Sequence, residues 1–101
     1  MEMMDLRKTV DYQTGSIVSK EILKADSGTV TLFAFDSGQG LSEHVTPFDA
    51  LVYIVDGKAK VTISGSDHQL SEGQMVHMPA NHPHALLAEE KFKMLLIMIK
   101  R

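Results

Sequence analysis

A chain of 101 residues with no cysteine forms one domain and has no disulfides, thiolate metal sites or thiol nucleophile. Its 10 lysines and arginines are scattered among 13 acidic residues, for a net charge of -3, so it lacks the basic footprint of a nucleic-acid binder. The longest apolar run, Met94 to Ile99, is far too short to cross a bilayer, and no apolar segment follows the N-terminal charges as in a secretory signal; a cytoplasmic protein with no membrane partner is expected.

Residues 1–15 mix charge and polarity up to Gly15, and read as an irregular or strand-adding N-terminal arm, with a turn of helix and a short edge strand as the alternatives. Ser16 to Leu23 is a β-branched first strand, and Lys24 to Gly28 a turn. Thr29 to Asp36 alternates Thr31, Phe33 and Phe35 with Val30, Leu32 and Ala34. Both faces are largely apolar, which predicts a barrel interior on one side and another sheet or a subunit on the other. Leu41 to Thr46 follows, ended by Pro47. Ala50 to Val55 is a buried-type strand, and Asp56-Gly57 predicts a tight hairpin from which Lys58 to Ser64 pairs back. Short strands at His68 to Leu70, Gln74 to Met78 and His84 to Ala88 lead to the last strand, Phe92 to Lys100. With turn signals every eight to twelve residues and no capped amphipathic helix, the chain is expected to be all-β: an antiparallel sandwich or small barrel in a single domain, 1–101.

The stretch Gly38 to His84 resembles the cupin superfamily, in particular its small single-domain conserved-barrel members. The first motif of that family has a glycine, five residues, a histidine, one residue, a second histidine, then a glutamate and a glycine seven further on. Gly38, His44 and Gly57 fall in place, while Thr46 stands at the second histidine and Ala50 at the glutamate, with Asp49 just before it. In the second motif Gly73, Pro79 and His84 match, Asn81 stands for a glycine and Ala88 for the final asparagine. Asn81 is a sensible replacement, because asparagine tolerates a left-handed backbone. The resemblance implies a double-stranded β-helix, or jelly-roll barrel, whose pocket holds a divalent metal on three histidines and a glutamate. Two of those four positions are kept.

His44 and Thr46 share a face of an extended segment, and in such a barrel they meet His84. His44 and His84 are thus the candidate ligands for zinc, iron, nickel, copper or manganese, although a firmly held catalytic metal usually needs three protein ligands. His82 is the first candidate for a third, with His77 behind it and Asp49 or Glu43 as carboxylates; His68 reads as surface. Phe33, Phe35, Thr46, Phe48, Met75, His77, Met94 and Met98 are the expected pocket lining. Three functions follow: a metal-binding cupin, a metal-free small-molecule binding or sensing barrel, and a metal-free isomerase or epimerase with His84 or His44 as base and Asp49 orienting it. The last strand carries Leu95, Ile97 and Ile99 opposite its methionines, so packing of sheets into a homodimer is expected.

Overall fold

The computed structural model describes residues 3–101. One short helix, α1 (Leu6–Thr9), precedes eight strands: β1 (Ile17–Ala25), β2 (Gly28–Phe35), β3 (Gly40–His44), β4 (Phe48–Ile63), β5 (Ser66–Ser71), β6 (Met75–Met78), β7 (His84–Leu87) and β8 (Phe92–Lys100). All pairings are antiparallel. The first half of β4 lies between β8 and β6, in a sheet that continues through β2 to β1; its second half lies between β5 and β7, and β3 closes that side.

This continuity of β4 overturns the expected hairpin at Asp56-Gly57. The usual two-residue hairpins need a positive φ at the first central residue, and type I′, which favours Asp-Gly, at both. Only Gly57 has one, at 75°, and the register against β8 slips between Ile54 and Asp56. The dipeptide is therefore a bulge that bends one strand from the first sheet into the second. Only glycine fits there: a Cβ on Gly57 would lie 2.2 Å from the Lys91 carbonyl oxygen. The tight hairpin comes later, at Ser64 and Gly65, with φ of 48° and 83°.

Since β4 bends in its middle, its two ends, Phe48 and Ile63, both lie at the open end of the barrel. Strand alternation then sets the interior. Ala50, Val52 and Ile54 before the bend, and Ala59 and Val61 after it, point inward and are buried. Phe35 stacks on Phe92 at the closed end, ring centroids 4.5 Å apart, and Met94, Leu86 and Met78 fill the space above them.

Part of the outer face of β2, at Leu32 and Ala34, is covered within the chain itself. The N-terminal arm crosses it: Val10 is buried against Leu32 and Ala34, with Leu6, Tyr12, Val55 and Leu95 around them. Among the described residues the arm adds no strand before Ile17; its first two residues, Met1 and Glu2, lie outside the described residues. Polar contacts fix it. The Tyr12 hydroxyl donates to Asp56 at 2.6 Å, Arg7 reaches Asp56 and Glu72 at 3.1 and 3.3 Å, and the buried Lys93 ammonium donates to the Arg7 carbonyl, 4.9 Å from the Tyr12 ring centroid. Burial first, then the Asp56 hydrogen bond and charge, push the Tyr12 hydroxyl well above the usual phenol range, so it remains a donor.

Candidate functional site

His44 ends β3 and His84 begins β7, and the two residues are direct partners across the pairing of these strands. Directly opposed side chains meet. The rings stand edge to face, with centroids 4.2 Å apart and planes at 71°. Three loops surround them at the open end of the barrel. The Asn81 amide donates to the Thr46 carbonyl at 2.8 Å, and the Ser64 amide to the Pro83 carbonyl at 2.8 Å. Asn81 itself takes φ 66°, the left-handed conformation for which its residue type is suited.

Hydrogen bonds assign the tautomers. His44 Nδ1 lies 2.8 Å from the Ser42 carbonyl oxygen, and His84 Nδ1 lies 3.3 Å from that of His82. A carbonyl oxygen only accepts, so each Nδ1 carries the proton and each Nε2 keeps its lone pair. His84 is 5% exposed, whereas His44 faces solvent. Burial, and then the neighbouring His44, hold His84 below the usual imidazole range. His84 is therefore biased toward its uncharged form, whose Nε2 is an acceptor, and a proton on His44 would oppose one on His84.

Several expected members of the site lie elsewhere. Asp49 points to the outside of β4, where it takes hydrogen bonds from His77 at 3.0 Å, the Ala80 amide at 3.1 Å and Arg101. Those bonds, His77 first, lower its carboxyl to about 2. Asp49 therefore orients His77, not His44 or His84, which removes the histidine–Asp49 base expected for an isomerase. His77 shares that outer face with Met75, which is 50% exposed; Val76 and Met78 are the inward residues of β6, so neither Met75 nor His77 lines the pocket. His82 turns to Ser64, Nδ1 to Oγ 3.2 Å, and is exposed, as is Glu43. Thr46 is occupied within its own turn, its hydroxyl bonded to the Phe48 carbonyl and amide at 3.2 and 3.3 Å. Phe35 and Met94 belong to the packed core, and Phe33 packs against it. Among the described residues, no group of three or more histidine, cysteine, aspartate or glutamate side chains is placed to hold a metal.

Phe48 and Met98 do border open space. A cavity of about 310 Å³ lies at the open end on the β1–β2 side, lined by these two with Ala25, Gly28 and Thr29, and rimmed by Lys24, Asp26 and Lys100. The two lysines were not foreseen. The Lys100 amide bonds the Ser27 carbonyl at 2.8 Å, which draws the β1–β2 turn over the end of β8, a long-range contact with no local sequence signal. Thr29 was readable, since it continues the inward row of Thr31, Phe33 and Phe35.

Residues 31–100 match the cupin domain family. No curated protein matches the chain. Among solved structures it is similar to a conserved protein of unknown function from Streptococcus pyogenes, with 36% identity over 99% of this chain and 88% of that one and a TM-score of 0.94. A cupin 2 conserved barrel domain protein from Leptotrichia buccalis is 41% identical over 96% of this chain, with a TM-score of 0.93; this chain spans 47% of its length. A cupin superfamily protein from Desulfitobacterium hafniense is 26% identical over 91% of this chain and 84% of that one, with a TM-score of 0.87. No helix among the described residues is long and apolar enough to cross a membrane.

Proposed function

We propose that this chain, which belongs to the cupin domain family, is a barrel that binds a small organic acid at its open end, with His44 and His84 as the recognising pair. The observation that carries this reading is the edge-to-face histidine pair, whose two Nδ1 protons are committed to backbone carbonyls while both Nε2 atoms remain free. Two adjacent acceptors beside apolar side chains suit a ligand with an acidic or hydroxylic proton on a compact apolar body. A carboxylate binds together with a proton taken up from solution by one imidazole, and is then held by a charge-assisted hydrogen bond. Lys24 and Lys100 at the same end favour a negative ligand.

The resident divalent metal usual for the family does not fit this donor set. Thr46 and Ala50 occupy two of the four ligand positions; the threonine hydroxyl is engaged in its turn, and Ala50 is buried against Met78 and Met98. Two imidazoles with no third donor hold a catalytic metal loosely. The metal-binding alternative, with His44 and His84 as ligands, is separated from acid binding by one experiment. Tag-free protein is analysed for bound zinc, iron, nickel, copper and manganese, and then screened against small carboxylic acids by thermal shift with and without chelator. The reading expects less than 0.1 equivalent of metal, roughly, and a chelator-independent shift that the His44→Ala, His84→Ala double variant loses. Stoichiometric metal, or a shift abolished by chelator, overturns it.

A further inference from the structure

Two residues other than glycine have a positive φ among the described residues, Ser64 at 48° and Asn81 at 66°, and both stand beside the segment that leads into His84. That conformation is costly for a residue with a Cβ; it persists where the surroundings enforce it, often at a functional site. Asn81 is the left-handed residue of the turn 79–82, which the His82 amide closes on the Pro79 carbonyl at 3.3 Å. Ser64 is the first central residue of the tight β4–β5 hairpin, a position favoured by asparagine, aspartate and glycine. The contacts of the serine offset its backbone cost. Its Oγ is hydrogen-bonded to His82 Nδ1 at 3.2 Å, and its amide donates to the Pro83 carbonyl at 2.8 Å.

Those two bonds flank the group that decides the state of His84. The His82 carbonyl accepts from His84 Nδ1 at 3.3 Å, a long bond that holds only while the carbonyl stays aimed at the ring. Earlier in the segment, the Ala80 amide is tied to Asp49 at 3.1 Å and the Asn81 amide to the Thr46 carbonyl at 2.8 Å. Ser64 grips His82 and Pro83 themselves. We propose that Ser64 is a positioning residue: it keeps the His82 carbonyl on His84 Nδ1, and so fixes His84 in the tautomer whose Nε2 can receive a ligand. Which imidazole nitrogen carries the proton is set by the hydrogen bond the ring makes, so a carbonyl that drifts lets both tautomers form. This role rests on the reading of the histidine pair as the binding element, but the tautomer of His84 can be observed with no ligand present.

The test is a long-range proton–nitrogen NMR spectrum of the histidine rings at about pH 8, where imidazoles are neutral and a protonated ring nitrogen is told from a bare one. Wild-type His84 is expected as the Nδ1–H form alone. Ser64→Gly removes the hydroxyl but relaxes the left-handed backbone, so its melting temperature is expected to fall by no more than about 3 °C. The His84 nitrogen shifts are nevertheless expected to move toward the average of the two tautomers. His82→Ala removes the other half of the contact and keeps the carbonyl; it is expected to do the same, and the double variant no more than either alone. Ser66→Ala, in the same hairpin, is expected to change nothing. If the competent tautomer falls to between about a half and a fifth, binding of benzoate as a probe weakens about two- to fivefold. An intact Nδ1–H form in Ser64→Gly overturns the proposal, as does a wild type in the other tautomer. A melting temperature lowered by more than about 3 °C alongside the tautomer change also overturns it, since a loosened hairpin then suffices. Loss of the single tautomer in Ser64→Gly supports the role even where wild type ignores benzoate, an outcome that counts against acid binding alone.

Discussion

Replacing Gly57 by alanine tests the bend on which the barrel rests, with Gly65→Ala as its control. Both glycines have a positive φ, 75° and 83°. Each alanine therefore incurs the cost of a left-handed residue, about 1–2 kcal/mol. They differ in what the new methyl meets. Nothing lies within 4 Å of it at Gly65, whereas at Gly57 it would be 2.2 Å from the Lys91 carbonyl oxygen and 3.1 Å from Phe92 Cα. Those are backbone atoms, so the clash is relieved only by moving β4 off β8, beside the stacked Phe35 and Phe92 rings. Partial loss of that fully buried pair adds about 2–3 kcal/mol, by comparison with the roughly 3–5 kcal/mol of a complete Phe→Ala truncation. Urea unfolding should therefore show Gly65→Ala destabilised by about 1–2 kcal/mol and Gly57→Ala by about 3–5 kcal/mol, or no longer folded. If Asp56-Gly57 were an exposed hairpin, the two variants would match. Equal losses, within about 0.5 kcal/mol, would refute the bulge.

The faces of β6 predict that Met78→Ala, at a buried inward position, costs about 2–5 kcal/mol, while Met75→Ala on the outer face costs under about 0.5 kcal/mol; denaturant curves that reverse this order would place the strand in the other register. His84 should titrate below the ordinary 6.5 by NMR, and His44→Ala should move its midpoint only part of the way back, because burial is the larger cause and remains. With its folded pKa depressed, His84 contributes stability that is complete above pH 6.5 and is lost as pH falls through the folded value; a midpoint at or above 6.5 contradicts the assigned environment. Tyr12→Phe removes the hydroxyl held by Asp56, and should cost about 1–2 kcal/mol and speed amide exchange at Val10, since the arm loses one of its side-chain bonds to the barrel. Unchanged exchange there would show that Val10 alone holds the arm.

Which parts of this architecture could be read from the chain depends on how far each signal reaches. His44 and His84 were found because each stands at a fixed distance from a turn-forming glycine, and the turn carries the residue to the barrel mouth wherever its partner lies. Asp56-Gly57 misled because a positive-φ glycine serves a hairpin and a bulge equally well; the choice is made by β8, about 35 residues further on, against which β4 keeps its pairing through the bend. Asp49 and Met75 were misplaced by one step of parity. In a strand that single step separates inside from outside. The alternation itself held the correction, since Ala50, Val52 and Ile54 form one row and Asp49 falls outside it, just as Val76 and Met78 leave Met75 and His77 outside. The cover on β2 was expected from its two greasy faces, but a lone Val10 in a polar arm gave no sign that it would supply part of that cover.

The residues at the two missing ligand positions also explain what kind of site remains. Ala50 is inward-facing and pairs with Met78 on one side and Met98 on the other, so the wall beneath the open end is aliphatic and thioether where a carboxylate would otherwise stand. A buried carboxylate there would demand a cation. Without it, burial and then the neighbouring His44 hold His84 below the usual imidazole range. An uncharged His84 in such surroundings gains most from a ligand that binds together with a proton. Binding of a carboxylate would then take up a proton from solution at neutral pH and strengthen as pH falls, by up to about tenfold per unit above the His84 midpoint. Chemistry centred on a resident cation predicts the opposite slope, because protons compete with a metal for Nε2.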